Sequence, residues 1–391
     1  MRENKGVYEY IGVYVDDLAM AMHDPQGFIQ LLKDKYKFKF KGTGPITFHL
    51  GCDFVRDEDG TLRMEPQKYL DRVVTTYERL FGGKPKSKAR SPLEQGDHPE
   101  LDTTDYCNEE ETKAYQTLIG SAQWLISIGR FDIATSVMTM SSFRAMPRKG
   151  HLERVKRIIG YAVNMRGACI RVRTDEPDYS DVVTPEYDWA YSVYGDVKEE
   201  IPSDAPPPLG RFVTTTTYKD ANLMHCLATG RSVTAVLHLV NGMPIDWFTK
   251  KQSTVETATF GSEFVSGRTA VEQIMELRLT LRYLGVPIRD KSYLFGDNKT
   301  VVNSSTLPHG KLHKRHIMLS YHRVREAIAS KMIVFHFLDG KYNPADILSK
   351  HWGYQAVWKS LRTLLFLKGD TEVALEDDEG ITSDSTPQPS T

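Results

Sequence analysis

Carboxylates are the side chains whose spacing in this sequence most suggests chemistry. Near the start, "IGVYVDDLAMAM" (residues 11–22) sets Asp16 and Asp17 between two short apolar runs, the pattern of a β-hairpin with both acids at its turn. Paired carboxylates repel unless a cation lies between them, and a metal ion is the usual cation where chemistry is involved. Four more acids follow far downstream: Asp220 in "TTTTYKDAN", Glu263 in "TATFGSEFVSG", Asp297 closing "YLFGD" and Asp346 in "NPADILSK". Singly, each reads equally as a surface acid or a helix cap, and Asp346 after Pro344 fits the chemistry of a helix start. Together they stand at element boundaries, and they converge on one end of a mixed sheet if its first and fourth strands are neighbours. Four converging carboxylates cannot all ionise bare; two Mg²⁺ ions, or Mn²⁺ in their place, would neutralise them. Two such ions roughly 4 Å apart activate a water and stabilise the leaving oxygen of a phosphodiester.

The elements that must position these acids follow from periodicity. After the hairpin, "DPQGFIQLLKDKY" has helical spacing, and "KYKFKFK" alternates Tyr36, Phe38 and Phe40 with lysines. "ITFHLGCDFVRDEDGTLRMEP" alternates around Asp59-Gly60 as a second hairpin, and helical segments follow through about residue 165. From residue 211 the order changes to three strands, a long helix over about 257–284, the strand "KSYLFGD", further helices, the strand "KMIVFHFL" and a last helix starting near Asn343. This is an α/β order with a mixed sheet.

Charge is segregated although the net is only −1. Residues 1–174 carry 27 basic and 23 acidic side chains, 175–210 carry 1 and 10, 211–365 carry 21 and 11, and 366–391 carry 1 and 7. Residues 211–365 are basic enough for a nucleic-acid partner, with ordinary solvated surface as the plainer reading. The Pro-rich acidic stretch 175–210 reads as a linker or long surface connection, and 366–391 as a disordered acidic tail. Four scattered cysteines without a C-x-x-C pair argue against structural zinc and for a reducing, intracellular setting. No apolar run has the roughly 20 residues of a membrane helix, so no membrane partner is expected.

"YVDD" resembles the catalytic hairpin of a reverse transcriptase, and the sequence around it resembles the copia-type (Pseudoviridae) retrotransposon Pol polyprotein. "FHLGCDF" is similar to the family's primer-contacting hairpin, and "YQTLIGSAQWLISIGRFDIATSV" to its Y-x-x-L-x-G-x-L-x-Y-L-x-x-x-x-R-P-D-I segment. "KDAN", "KKQSTVETATFGSEF", "GDNKTVV", "KRHIMLSYHRVREAI" and "NPADILSK" are similar to its ribonuclease H domain. The resemblance covers about residues 7–365. It implies the end of a reverse transcriptase palm with the thumb (1–95), a helical connection (96–174), the linker (175–210) and a ribonuclease H-like domain (211–365). The implied ribonuclease H ligands are Asp220, Glu263, Asp297 and Asp346. Asp16 and Asp17 become half of a polymerase site whose other aspartate lies earlier in the family's palm, so the chain is expected to be a downstream piece with an incomplete polymerase. Two positions depart from the family pattern: Asn222 replaces a second acid, and the acid two positions before Glu263 is missing.

The implied activity is hydrolysis of the RNA strand of an RNA–DNA hybrid. The implied partners are hybrid, template–primer and the rest of the Pol polyprotein, with a cytoplasmic virus-like particle, or the nucleus, as the setting. The rival reading is a catalytically silent relic or binding module that grips nucleic acid without cutting it. His309, His313, His316, His322 and His336 are dense but lack a cysteine partner, so phosphate contact or support of the last metal is expected of them before zinc. In ribonuclease H enzymes a mobile histidine assists product departure, a role that the resemblance would give to His316 or His322.

Overall fold

The computed structural model describes residues 1–366 apart from Ser87 and His313, with residues 355–359 described by backbone alone. Of the expected disordered tail, 366–391, Phe366 is described and is instead buried in the core, while residues 367–391 and His313 of the histidine group lie outside the described residues.

The N-terminal elements are β1 (Arg2–Asn4), β2 (Val7–Tyr14) and β3 (Asp17–Ala21), an antiparallel sheet in the order β1-β2-β3, followed by α1 (Pro25–Tyr36). Asp24 caps α1 by accepting from the Gly27 amide at 2.8 Å, and Pro25 occupies the first turn. Lys37 ends the helix with a left-handed φ of 58°. The alternation from Tyr36 to Lys41 forms no strand: no neighbouring strand pairs with it, and Phe38 stacks on Phe40 in an exposed segment. The second expected hairpin is present as β5 (Cys52–Arg56) and β6 (Leu62–Glu65), turning at Asp57–Gly60. It lies in a four-stranded sheet with β4 (Phe48–His49) and β7 (Ile170–Arg171).

The helical part consists of α2 (Gln67–Phe81), α3 (Glu109–Ser127), α4 (Ala134–Ser141) and α5 (Lys149–Asn164). A reciprocal capping box between Asn108 and Glu111 fixes the start of α3. The "GRFDI" stretch buries a bidentate Arg130–Asp132 pair (3.0 and 2.9 Å), and the Tyr161 hydroxyl donates to Asp132 at 2.8 Å.

The remaining elements are β8 (Thr215–Cys226), β9 (Arg231–Val240), β10 (Met243–Lys251), α6 (Thr259–Tyr283), β11 (Ser292–Gly296), α7 (Lys299–Thr306), α8 (Met318–Ala329), β12 (Ile333–Phe337) and α9 (Tyr354–Leu364). They build a five-stranded mixed sheet in the order β10-β9-β8-β11-β12. β8, β9 and β10 pair antiparallel, whereas β11 is parallel to β8 (Leu294 opposite Thr217) and to β12. First and fourth strands are therefore neighbours, and the arrangement is the mixed-sheet α/β order expected from the sequence.

Along β9 the side chains alternate. Val236 joins Phe264, Ala270, Val271 and Ile274 of α6 with Tyr321 and Val324 of α8 in one core, while Ala235, Leu237 and Leu239 belong to a second. That second core is continuous with α2–α5 and includes Ile347, Leu348 and Trp352. The helical part thus forms a third layer on the sheet, tied by Thr135 Oγ1 to the Ile347 carbonyl (3.0 Å) and by Thr139 to His225 (3.0 Å).

Residues 175–210 hold no strand or helix, yet they are bound closely to this domain as a strap. Tyr179 hydrogen-bonds Thr216 and packs on Tyr293, the buried Trp189 lies over the Arg325 guanidinium (4.9 Å), and the Tyr194 hydroxyl meets His322 Nδ1 at 2.6 Å. Glu199 accepts from Arg278 (2.8 and 2.7 Å) and Arg282 (2.7 Å), and Glu176 from Arg289 (2.8 and 2.9 Å). The acidic composition that reads as a linker is matched against arginines of α6 and the loop before β11.

Candidate active site

Three of the four downstream acids meet at one end of the sheet. One ligand oxygen each from Asp220, Glu263 and Asp297 lie within 4.8 Å of one another, and this is the only such group of three or more among the described residues. Asp220 sits on β8, the central strand, flanked on both sides. Glu263 belongs to the buried stripe of α6 that continues through Ser266, Gly267, Ala270 and Ile274, so the spacing that packs the helix on the sheet also aims this carboxylate inward. Ser266 Oγ donates to the Asp220 carbonyl at 2.8 Å, pinning helix to strand beside the acids. Asp297 leaves β11 directly after Gly296, which brings it level with Asp220 on the adjacent parallel strand.

Asp346 reaches the site differently from the expectation. It does not open the last helix, which begins at Tyr354. It lies in a short 3₁₀ turn, Pro344–Leu348. Asn343 caps that turn (Ala345 amide to Asn343 Oδ1, 3.1 Å) and donates its own amide to the Lys219 carbonyl at 3.0 Å, so the turn is anchored on β8. Asp346 stands outside the group of three but is joined to it by Lys350, whose Nζ lies 2.9 Å from Asp346 and 3.8 Å from Asp220. Ser349 Oγ also donates to Asp220.

The electrostatics are those of crowded, buried acids. Burial first, then the neighbouring Asp220 and Asp297 against the opposing Lys219, push Glu263 up to about 7. Burial and Asp220 raise Asp346 to about 7, and the same two causes raise Asp297. Asp346 Oδ1 is buried, and its partner is the Lys350 ammonium at 2.9 Å. A donor set of hard oxygens, buried and mutually repelling, fits divalent ions of the Mg²⁺ or Mn²⁺ kind.

Two lysines in this site were not singled out from the sequence. Lys219 is fully buried; its ammonium donates to the Glu263 carboxylate and to the Glu263 carbonyl at 3.2 Å. Gly296 makes the room: a Cβ there would lie 2.6 Å from Lys219 Cε. The signal was available, because a lysine inside a strand that must be central needs a buried anionic partner. Lys350 had a weaker one, its i, i+4 spacing from Asp346.

The other expected residues do not join the site. The hairpin of β2 and β3 forms, but its two-residue turn is Val15–Asp16, and Asp17 opens the return strand opposite Tyr14. Both acids are exposed and belong to no group of three metal-capable side chains among the described residues. The hairpin is held at the far end of α6, with Tyr8 Oη on the Pro207 carbonyl (2.9 Å) and Tyr10 Oη on the Leu284 carbonyl (2.6 Å). At 1.5 Å per helical residue that end is roughly 30 Å from Glu263. His322 faces Tyr194 of the strap, while His316 Nε2 lies 3.0 Å from Glu256 in the loop that leads into α6.

No family model matches the chain. It is 25% identical over 348 residues to the retrovirus-related Pol polyprotein from transposon TNT 1-94 of Nicotiana tabacum, covering 86% of this chain and 23% of that protein. It is 24% identical over 279 residues to a putative transposon Ty5-1 protein of Saccharomyces cerevisiae, covering 68% and 73%. A third relative, the Pol polyprotein from transposon RE1 of Arabidopsis thaliana, is 24% identical over 349 residues, covering 87% and 20%. The chain therefore spans less than a quarter of the length of the plant polyproteins it matches. Among solved structures it is similar to the ribonuclease H1 LC11 in complex with RNA/DNA hybrid, with a TM-score of 0.28 and 14% identity over 38% of this chain and 99% of that one. The foamy viral protease-reverse transcriptase gives 0.25 and 12%, over 46% and 24%. The sequence motifs and the curated matches agree over most of its length: the chain is similar to the Pol polyproteins of Ty/copia-type transposons.

Proposed function

We propose that the chain is a segment of a retrotransposon Pol polyprotein whose active centre hydrolyses the RNA strand of RNA–DNA hybrids. The observation that carries this is the convergence of ligand oxygens of Asp220, Glu263 and Asp297, from three separated stretches of sequence, within 4.8 Å where β8, α6 and the end of β11 meet. Asp220, Glu263, Asp297 and Asp346 would hold divalent ions, which supply charge to activate a water and to stabilise the leaving oxygen. The chain's own contribution is orientation: Ser349 and Ser266 fix Asp220 and its strand, Asn343 fixes the turn that carries Asp346, and Lys219 holds Glu263. The basic residues of 211–365 favour a polyanionic partner. The remainder of the polyprotein and the template–primer are partners on the same reading. No polymerase step is assigned to Asp16 and Asp17.

The test is cleavage of a labelled RNA–DNA hybrid by the full chain with Mg²⁺ or Mn²⁺. Wild type should cut the RNA strand, and Asp297→Asn and Asp220→Asn should fall to background while retaining the wild-type circular dichroism spectrum. Equal cleavage by wild type and Asp297→Asn refutes the assignment. Hybrid binding without any cleavage by wild type supports the silent binding module instead.

A further inference from the structure

The two lysines of the site differ in a way that bears on how it fills, an inference that rests on the functional reading above. Lys219 is fixed: it is wholly buried, wedged between Gly296 and the Phe335 ring, and bonded to Glu263. Lys350 is not. Its side chain is 42% exposed, it sits just beyond the Pro344–Leu348 turn, and its Nζ bridges Asp346 at 2.9 Å and Asp220 at 3.8 Å. The carboxylates themselves divide in the same way. Asp220, Glu263 and Asp297 offer three oxygens in one tight group, whereas Asp346 stands outside that group, and the Lys350 ammonium reaches both Asp346 and Asp220.

We infer that Lys350 is a displaceable internal cation that occupies the Asp220–Asp346 side of the site until a divalent ion takes its place. One ion enters among Asp220, Glu263 and Asp297 without disturbing Lys350. A second ion, between Asp220 and Asp346, enters only when the Lys350 stem swings its ammonium into solvent, because the ammonium already neutralises that carboxylate pair and repels a dication set against it. The long flexible stem and its exposure make that swing available to Lys350 and deny it to Lys219. The two ions are therefore unequal before any substrate is present, and the inequality is set by a residue that ligates neither.

The experiment is titration of the metal-free full chain with Mn²⁺, followed by calorimetry and by the paramagnetic resonance of free Mn²⁺, with no hybrid present. Wild type should take one ion tightly and a second more weakly. Lys350→Gln should tighten the second ion by roughly tenfold or more while leaving the first within about twofold, since only the second replaces the ammonium. Lys350→Arg, which keeps the charge, should behave as wild type, and Asp346→Asn should lose the second ion alone. Two ions bound by Lys350→Gln with wild-type affinities overturn the inference and leave the site assignment standing. A wild-type chain that binds no Mn²⁺ overturns the site assignment, and the inference with it.

Discussion

The buried Lys219–Glu263 pair makes a quantitative demand on stability. Lys219→Met keeps the stem and its packing against Phe335 but removes the ammonium, leaving a buried carboxylate beside Asp220 and Asp297. Breaking one partner of a buried pair costs about 3–5 kcal/mol. The cost is limited by protonation: Glu263, already pushed up to about 7 with Lys219 in place, rises further without it and takes a proton. The penalty should therefore be near the upper end of that range at alkaline pH and fall as the pH is lowered through neutrality. Glu263→Gln strands the ammonium in the same low-dielectric pocket and should cost a similar amount. The double variant Lys219→Met/Glu263→Gln buries no charge at this position, so it should be destabilised by far less than the two single changes together, giving a coupling of about 2 kcal/mol or more. The assay is urea unfolding with chelator present, read by tryptophan fluorescence, for all four proteins at alkaline and mildly acidic pH. Additive single effects, with a coupling under about 0.5 kcal/mol at alkaline pH, would show that the pair is not the buried contact described here.

Burial and crowding place Glu263 and Asp346 at about 7, against ordinary values of 4.5 and 3.8. The native state therefore keeps protons that the unfolded chain gives up, so the stability they contribute is complete below about pH 4 and is lost as pH rises to about 7, by up to roughly 3–4 kcal/mol each. In chelator, Asp346→Asn should gain on wild type steadily over that window, and a constant difference between the two unfolding curves would contradict it. Trp189 anchors the strap by burial and by its stacking on Arg325, so Trp189→Ala should cost about 3 kcal/mol and expose residues 175–210 to limited proteolysis. An unchanged digestion pattern would show that the strap is not held there.

The sequence by itself determined the chemistry available and much of its scaffold. The identities of Asp220, Glu263 and Asp297, their places on two strands and a long helix, and the mixed α/β order were legible because they rest on local signals: period-two alternation, the helical stripe that carries Glu263, and turn residues. The tertiary structure alone decided what each acid touches. Lys219 meets Glu263 across 44 positions and Asp220 meets Ser349 across 129, separations at which no local period operates. The last helix was misplaced for a related reason: Pro344 announces a helical start, but Asn343, by bonding to β8 as well as capping, holds the turn to one short 3₁₀ stretch and turns Asp346 toward the site. Residues 175–210 carry the composition of a linker, and composition cannot see that arginines of α6 stand ready for Glu199 or a guanidinium for Trp189. Charge and ring partners are chosen by where the chain folds back, so the sequence set which groups could pair, and the packing of sheet, helices and strap chose the pairs.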